Sequence, residues 1–211
     1  MGVKERRERE KSETRDKILD AARELFVTEG YEGISMRRVA EKIEYSPTAI
    51  YVHFADKSEL FQELCQQDFA RLAEVFQSSA MSADPVERLK QIGRTYIDFG
   101  VRYPNHYKFM FMTPHPPIEP DEEECEKIGN PELDAYAFLK WAVQQAIGAG
   151  RLREELADAE LVSQTLWAAV HGVISLNIAK CKDPWVDWRP MQDRAETMLD
   201  VTMRGLLRED K

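Results

Sequence analysis

Apolar residues recur at intervals of three and four along most of the chain, the spacing that gathers them on one face of a helix. Between Thr14 and Gly30 the stripe is Ile18, Ala21, Ala22, Leu25 and Phe26, and Gly30 supplies a C-terminal stop. Residues 35–57 hold two short helices joined by a tight turn. In the first, Met36, Val39, Ala40 and Ile43 share a face, with Ser35 in front as N-cap. In the second, Ser46 caps and Pro47 takes the first helical position, where its missing N–H costs nothing. Ile50 and Phe54 point back to the first helix, leaving Thr48, Tyr51 and Val52 outward and His53 beside the buried stripe. Such a helix suits the major groove of DNA.

Asp56 and Glu59 then have the residue types of a capping box, and Phe61, Leu64, Cys65, Phe69, Leu72 and Phe76 keep one stripe along a longer fourth helix. A break over Ser78–Pro85 precedes a helix marked by Val86, Leu89, Ile92, Gly93, Tyr96, Ile97 and Gly100, which ends before Pro104. A short helix is expected over Tyr107–Met112. Residues 113–131 carry five prolines and an acidic run, which predicts a long exposed loop. The next helix, Leu133–Gly148, places Leu133, Ala137, Trp141 and Gln144 on one line. Two further helices, Asp158–Lys180 and Met191–Leu207, are apolar over much more than a stripe, which calls for burial on two sides: one against the core, the other against a second subunit. The fold class is all-α. We expect an N-terminal arm with a helix-turn-helix over residues 1–57, followed by a larger helical domain over 58–211.

Ala22, Phe26, Gly30, Val39-Ala40, Ser46, Tyr51, Phe54, Lys57 and Leu60 together follow the N-terminal signature of the tetracycline-repressor (TetR) family, which the chain resembles over about residues 14–64. Trp167-Ala-Ala-Val-His171-Gly172 is similar to the Trp…His-Gly signature of one C-terminal subgroup. The resemblance implies a transcriptional regulator, most often a repressor. It also implies a homodimer joined through the last two helices and a small apolar or aromatic effector bound in the body. A two-fold dimer would set two heads on half-sites about 34–36 Å apart. Two departures stand out. Glu44 occupies the turn where the family commonly has Gly, and a left-handed conformation there would cost roughly 1–2 kcal/mol. Pro47-Thr48-Ala49 replaces the usual Lys-Gly-Thr, so the family's contact rules transfer poorly to the tip of that helix.

Composition sets the outer limits. The chain has 211 residues, 43% hydrophobic and 32% charged, enough for a real core. The most apolar segment, Leu166–Ala179, is shorter than the roughly 20 residues a bilayer crossing needs. No signal-peptide pattern opens the chain, so a cytoplasmic location is expected. Cys65, Cys125 and Cys181 are odd in number and far apart, against a disulfide framework or a zinc site; no cofactor or metal is expected. The net charge of −9 lies wholly beyond residue 57, since residues 1–57 carry 12 basic and 12 acidic side chains. Lys4, Arg6, Arg7, Arg9, Lys11 and Arg15 crowd the arm, which is expected to be disordered away from DNA and could reach phosphate or the minor groove.

Phosphate contacts supply affinity and base contacts discrimination. Tyr51, His53 and Lys57 are assigned to the backbone. Arg37 flanks the apolar face of its helix and is aimed at a base, where guanidinium can grip guanine O6 and N7; Arg38, on the opposite side, meets phosphate or water. Pro47, Thr48 and Val52 offer contacts to thymine methyl groups. For the effector the candidates are Tyr96, Phe99, Phe109, Met110, Phe138, Trp141, Trp167 and His171, all of which also fit an ordinary core. No GxSxG, HExxH or Walker-type loop is present, which argues against an enzyme. The competing function is a helical interaction module for small molecules or proteins that does not bind DNA.

Overall fold

A computed structural model describes residues 2–117, 120 and 122–208. Its helices are α1 (Val3–Gly33), α2 (Met36–Lys42), α3 (Pro47–Tyr51), α4 (Lys57–Ser79), α5 (Pro85–Arg102), α6 (Pro104–Met112), α7 (Glu122–Lys127), α8 (Ala135–Gly148), α9 (Ala159–Lys180) and α10 (Met191–Leu206). The fold is all-α. Contacts gather it into two compact units, one of Met1–Asp68 with Asn105–Glu119, the other of Phe69–Pro104 with Pro120–Lys211.

In the first unit the predicted stripe of α1 is buried at Ile18, Ala22, Leu25 and Phe26, together with Val39 and Ala40 of α2, Ile50 and Phe54 at α3, and Leu60, Phe61 and Leu64 of α4. Each large side chain so buried contributes about 1.5–3 kcal/mol. Phe61 is the hub of an aromatic cluster, 4.9 Å from Phe26 and from Phe109 and 5.1 Å from Tyr31 between ring centroids. Gly30 leaves the helical path at φ 73°, ψ 170°, a conformation that glycine adopts without steric cost, so α1 breaks at the residue that the stop signal marks and one further turn, residues 31–33, follows the kink.

Three expectations for this unit need correction. The arm is helical from Val3 rather than disordered, its turns tied by Arg6–Glu10 at 2.7 Å and Arg9–Glu13 at 3.4 Å. An already formed helix lengthens without a new nucleation cost, so the charged run extends α1 instead of fraying. In α4 the side chain turned inward is Asp68, while Phe69 is exposed. The Asp56–Glu59 box is half formed: Asp56 Oδ1 accepts the Glu59 N–H at 2.9 Å, but the Glu59 carboxylate accepts from Ala55 instead of Asp56.

In the second unit α5, α8, α9 and α10 pack together. Asp84, Asp134 and Asp158 start α5, α8 and α9 as N-caps, each carboxylate accepting two backbone N–H groups of the helix it opens. Gly93 lets α5 approach α10 so closely that a Cβ there would lie 2.5 Å from Leu199 Cδ2. After α10 the chain is held to the turn after α8 by Arg153 N–H to Leu206 O and Arg208 N–H to Arg151 O, both 3.0 Å. Here too the reading of the sequence is corrected in places. The segment expected to be a loop contains α7, whose glutamates and lysine are helix formers; Ile118, Glu119 and Asp121 lie outside the described residues. Helix α8 begins after Leu133, which is exposed, and buries Ala135, Ala137, Phe138, Leu139, Ala142, Val143 and Ala146, so of the predicted line Leu133, Ala137, Trp141 and Gln144 it buries Ala137 alone. Helix α9 has 22 residues because its cap is Asp158, so it is long and apolar enough to cross a membrane by length and composition alone, contrary to the count over Leu166–Ala179. Only 28% of its most apolar window is buried, with Leu161 and Leu176 exposed on α9 and Val201 on α10.

Candidate nucleic-acid interface

Helices α2 and α3 are short, and side chains fix both of their starts. Ser35 Oγ accepts the Arg38 N–H and Ser46 Oγ accepts the Ala49 N–H, each at 3.2 Å, as the sequence predicts. Between them the turn is closed by Tyr45 N–H to Ala40 O at 3.0 Å and Glu44 N–H to Glu41 O at 3.3 Å, the paired bonds of a Schellman motif. That motif requires a left-handed residue at its centre. Glu44 has φ 61°, so the turn is made in the usual way and a β-carbon bears the strain.

With Ile50 and Phe54 buried, the outer face of α3 presents Pro47, Thr48, Tyr51 and Val52; Tyr51 is 55% and Val52 67% exposed. Nothing in a core explains two such apolar surfaces one residue apart. The Arg37 side chain, 80% exposed, extends from α2 with Nε 3.2 Å from Glu41 Oε1, a loose exposed pair that leaves most of the guanidinium fork open. Arg38 is engaged differently. Its Nη2 lies 3.0 Å from Glu29 Oε1, and this carboxylate, through hydrogen bonding and charge, raises the arginine pKa.

Lys57 and His53 are more embedded than their sequence positions indicate. Lys57 Nζ donates to Tyr31 O at 2.9 Å and sits 4.2 Å from the centre of the Tyr31 ring, a carbonyl and an aromatic face that orient the ammonium at the start of α4. His53 is half-buried, and its Nδ1 has no hydrogen-bond partner among the described residues. Burial, then the charges of Lys11 and Arg15, push its pKa below the ordinary histidine value.

Arg15, which by sequence belongs to the charged arm, packs against the head. Its guanidinium lies 4.5 Å from the Phe54 ring centre, Nη1 donates to His53 O at 3.3 Å and Nη2 is 3.0 Å from Glu63 Oε2. It therefore joins α1 to the end of the α3 turn. Its place three residues before Ile18, on the same stripe, was the available signal. A buried charge cluster was also missed. Arg23 binds Asp68 through Nε and Nη2, both at 2.9 Å, His106 Nδ1 lies 2.9 Å from Asp68 Oδ1, and Asp20 receives Arg23 Nη1 at 2.7 Å.

The effector candidates divide between the units. Phe109 and Met110 are buried in the first, where Phe109 packs on Phe26 and Phe61. In the second, Trp167 Nε1 donates to Tyr96 OH at 2.9 Å and its ring lies 5.8 Å from Tyr136. Phe138 meets Trp141 at a tilt, 5.5 Å between ring centroids, Arg88 covers Trp141 at 4.7 Å, and Phe99 meets Tyr103 at 5.5 Å. His171 is half-buried on α9, and desolvation lowers its pKa. Beside them Lys140, then the hydrogen bonds donated by Tyr136 OH and Gln164, lower the Glu160 carboxyl pKa to about 2. Among the described residues no cluster of His, Cys, Asp and Glu is arranged to hold a metal.

Residues 18–64 match the family model described as bacterial regulatory proteins, tetR family, and residues 89–202 match a tetracyclin repressor-like C-terminal domain, which takes in Trp167 and His171. The chain is 47% identical over 66 residues to the HTH-type transcriptional repressor AcnR of Corynebacterium diphtheriae, covering 31% of this chain and 35% of that one. It is 26% identical over 166 residues to the repressor AcnR of Corynebacterium jeikeium, covering 77% and 80%. The match thus spans about a third of the length of the first of these curated relatives. Among solved structures, a putative fatty acid metabolism regulator of Clostridium perfringens superposes with a TM-score of 0.73 at 18% identity, covering 92% of this chain and 100% of that one, and so shares the fold.

Proposed function

The chain belongs to the TetR family of bacterial regulatory proteins, which are regulators and not enzymes, and from that premise we propose that it is a ligand-responsive transcriptional repressor acting as a homodimer on a palindromic operator in the cytoplasm. The observation that carries this reading is the exposed edge of Thr48, Tyr51 and Val52 on a helix whose start is capped by Ser46 and whose inner face is locked by Ile50 and Phe54. A rigid, solvent-facing helical edge is what entry into a major groove needs.

On the operator, Arg37 reads a guanine and Pro47, Thr48 and Val52 meet thymine methyl groups, while Tyr51, His53, Arg38 and Lys57 contact the backbone. Residues 1–57 serve as arm and DNA-binding head, and 58–211 as effector and dimer domain. The exposed Leu161, Leu176 and Val201 support a second copy against α9 and α10, since an apolar surface of this kind is stabilised by burial. Naming repressors among the relatives supports the sign of regulation. A small apolar or aromatic effector in the second unit, near Tyr96, Phe99, Phe138, Trp141, Trp167 and His171, would weaken DNA binding, and DNA would weaken the effector by the same factor.

Selection of bound sites from random duplex DNA tests the reading. The expected product is an inverted repeat whose half-sites contain a guanine and thymines. Arg37→Ala should relax the preference at the guanine, and Lys57→Ala should weaken all sequences alike and lower the salt slope. Failure to enrich any repeat would favour the interaction module instead.

A further inference from the structure

The helical arm changes what its charges can do. Successive steps of about 100° along α1 place Lys4, Arg7, Lys11 and Arg15 within one arc of about 80°. The same arc continues inside the head as Ile18, Ala22 and Leu25, the buried face of the helix. So the side of α1 that faces the core carries a basic stripe where it runs beyond the core. Arg6 and Arg9, which point elsewhere, are neutralised by Glu10 and Glu13. Among the described residues Lys4, Arg7 and Lys11 form no ion pair, and Glu8 borders their stripe. The stripe is also directed. Arg15 reaches the His53 carbonyl and the Phe54 ring at the end of the α3 turn, and Lys11 is close enough for its charge to act on the His53 imidazole.

We propose that this helical arm is a second DNA-contacting element, with Lys4, Arg7 and Lys11 following the phosphate backbone beyond the half-site that α3 enters. It rests on the DNA-binding reading above. At about 1.5 Å per residue, Lys4 and Lys11 are about 10 Å apart along the helix, which matches about three base pairs of duplex. Being helical, the arm is too wide to enter a minor groove of about 6 Å, so the contact is to phosphates and carries no base preference. The arm therefore lengthens the footprint and raises affinity without altering the operator sequence.

The test uses full-length protein and a duplex recovered by the selection described above. Replacing Lys4, Arg7 and Lys11 together by Ala removes up to three contacts per arm and six per dimer, so the slope of log affinity against log salt should fall by up to about five. At about 0.1 M salt the affinity should drop more than tenfold. Hydroxyl-radical protection should retract by about three base pairs at each outer edge, with the selected sequence unchanged. Glu8→Pro breaks the helix between Lys4 and Lys11 and should shorten the footprint while the circular dichroism of the core persists. Wild-type binding together with an unchanged slope and footprint in the triple variant would overturn the proposal. Absence of any selected duplex for the wild type would instead remove the DNA-binding reading on which it rests.

Discussion

Replacing Asp68 by Ala should destabilise the protein more than removal of any exposed ion pair. Asp68 is 1% and Arg23 5% exposed, and their two hydrogen bonds are the geometry that a planar guanidinium makes with a carboxylate. Without Asp68 the guanidinium stays buried with the exposed Asp20 as its one acceptor among the described residues, and the His106 contact to Asp68 is lost. Breaking a buried pair from one side costs about 3–5 kcal/mol, whereas an exposed pair such as Arg204–Asp200 contributes about 0–1 kcal/mol. For a chain of this size the loss corresponds to a fall in melting temperature of roughly 6–20 °C. Urea denaturation followed by circular dichroism at fixed protein concentration measures it. The combined Arg23→Met, Asp68→Leu variant removes both charges and fills the space with apolar atoms, so it should cost much less than Asp68→Ala alone. A cost below about 1 kcal/mol for Asp68→Ala, or an equal cost for the paired variant, would refute the desolvation argument.

Further outcomes follow from local geometry. Glu44→Gly relieves roughly 1–2 kcal/mol of left-handed strain and loses about 0.5–1 kcal/mol to backbone entropy, so stability should rise by up to about 1.5 kcal/mol; a decrease would show that the Glu44 side chain is needed. Gly93→Ala forces Leu199 out of place between α5 and α10 and should cost about 1–3 kcal/mol in the same assay, and a neutral result would contradict the close approach. His53 and His171 have pKa values below the unfolded value of about 6.5, so the unfolded chain binds more protons. Stability should therefore be complete above about pH 6.5 and decline as the pH falls through the folded values. Denaturation midpoints across that range should flatten in the His53→Gln, His171→Gln protein, and an unchanged slope would assign the titration elsewhere.

Helix starts were legible because their signals are local. Ser35 and Ser46 cap with their own side chains, Asp158 opens α9 where the apolar run begins, and Ile50 and Phe54 define the inner side of α3 by spacing alone. Glu44 shows that even a departure can be informative, since its strain followed from the turn. What one helix's pattern could not reveal was an interaction between two. Spacing alone puts Asp68 in line with Phe61, Leu64 and Leu72, but a carboxylate belongs there only because Arg23 arrives from α1. The apolar Phe69 next to it gave the opposite impression. The arm was obscured similarly: a run of mixed charge reads as solvated chain, and its helicity depends on the head from which α1 continues. Nor does the sequence show that Tyr31 supplies a carbonyl and a ring that orient the Lys57 ammonium at the start of α4. Exposed positions were easier to assign than the partners of charged ones.

The most direct measurement is an anisotropy titration of the purified protein against duplex from upstream of its own gene, with a scrambled duplex of equal length beside it and several salt concentrations. If α3 and Arg37 enter a groove as argued, the upstream duplex should bind at least about 10³-fold more tightly than the scrambled one, and both affinities should fall steeply with salt. Equal weak binding to the two duplexes, or none, would contradict the account.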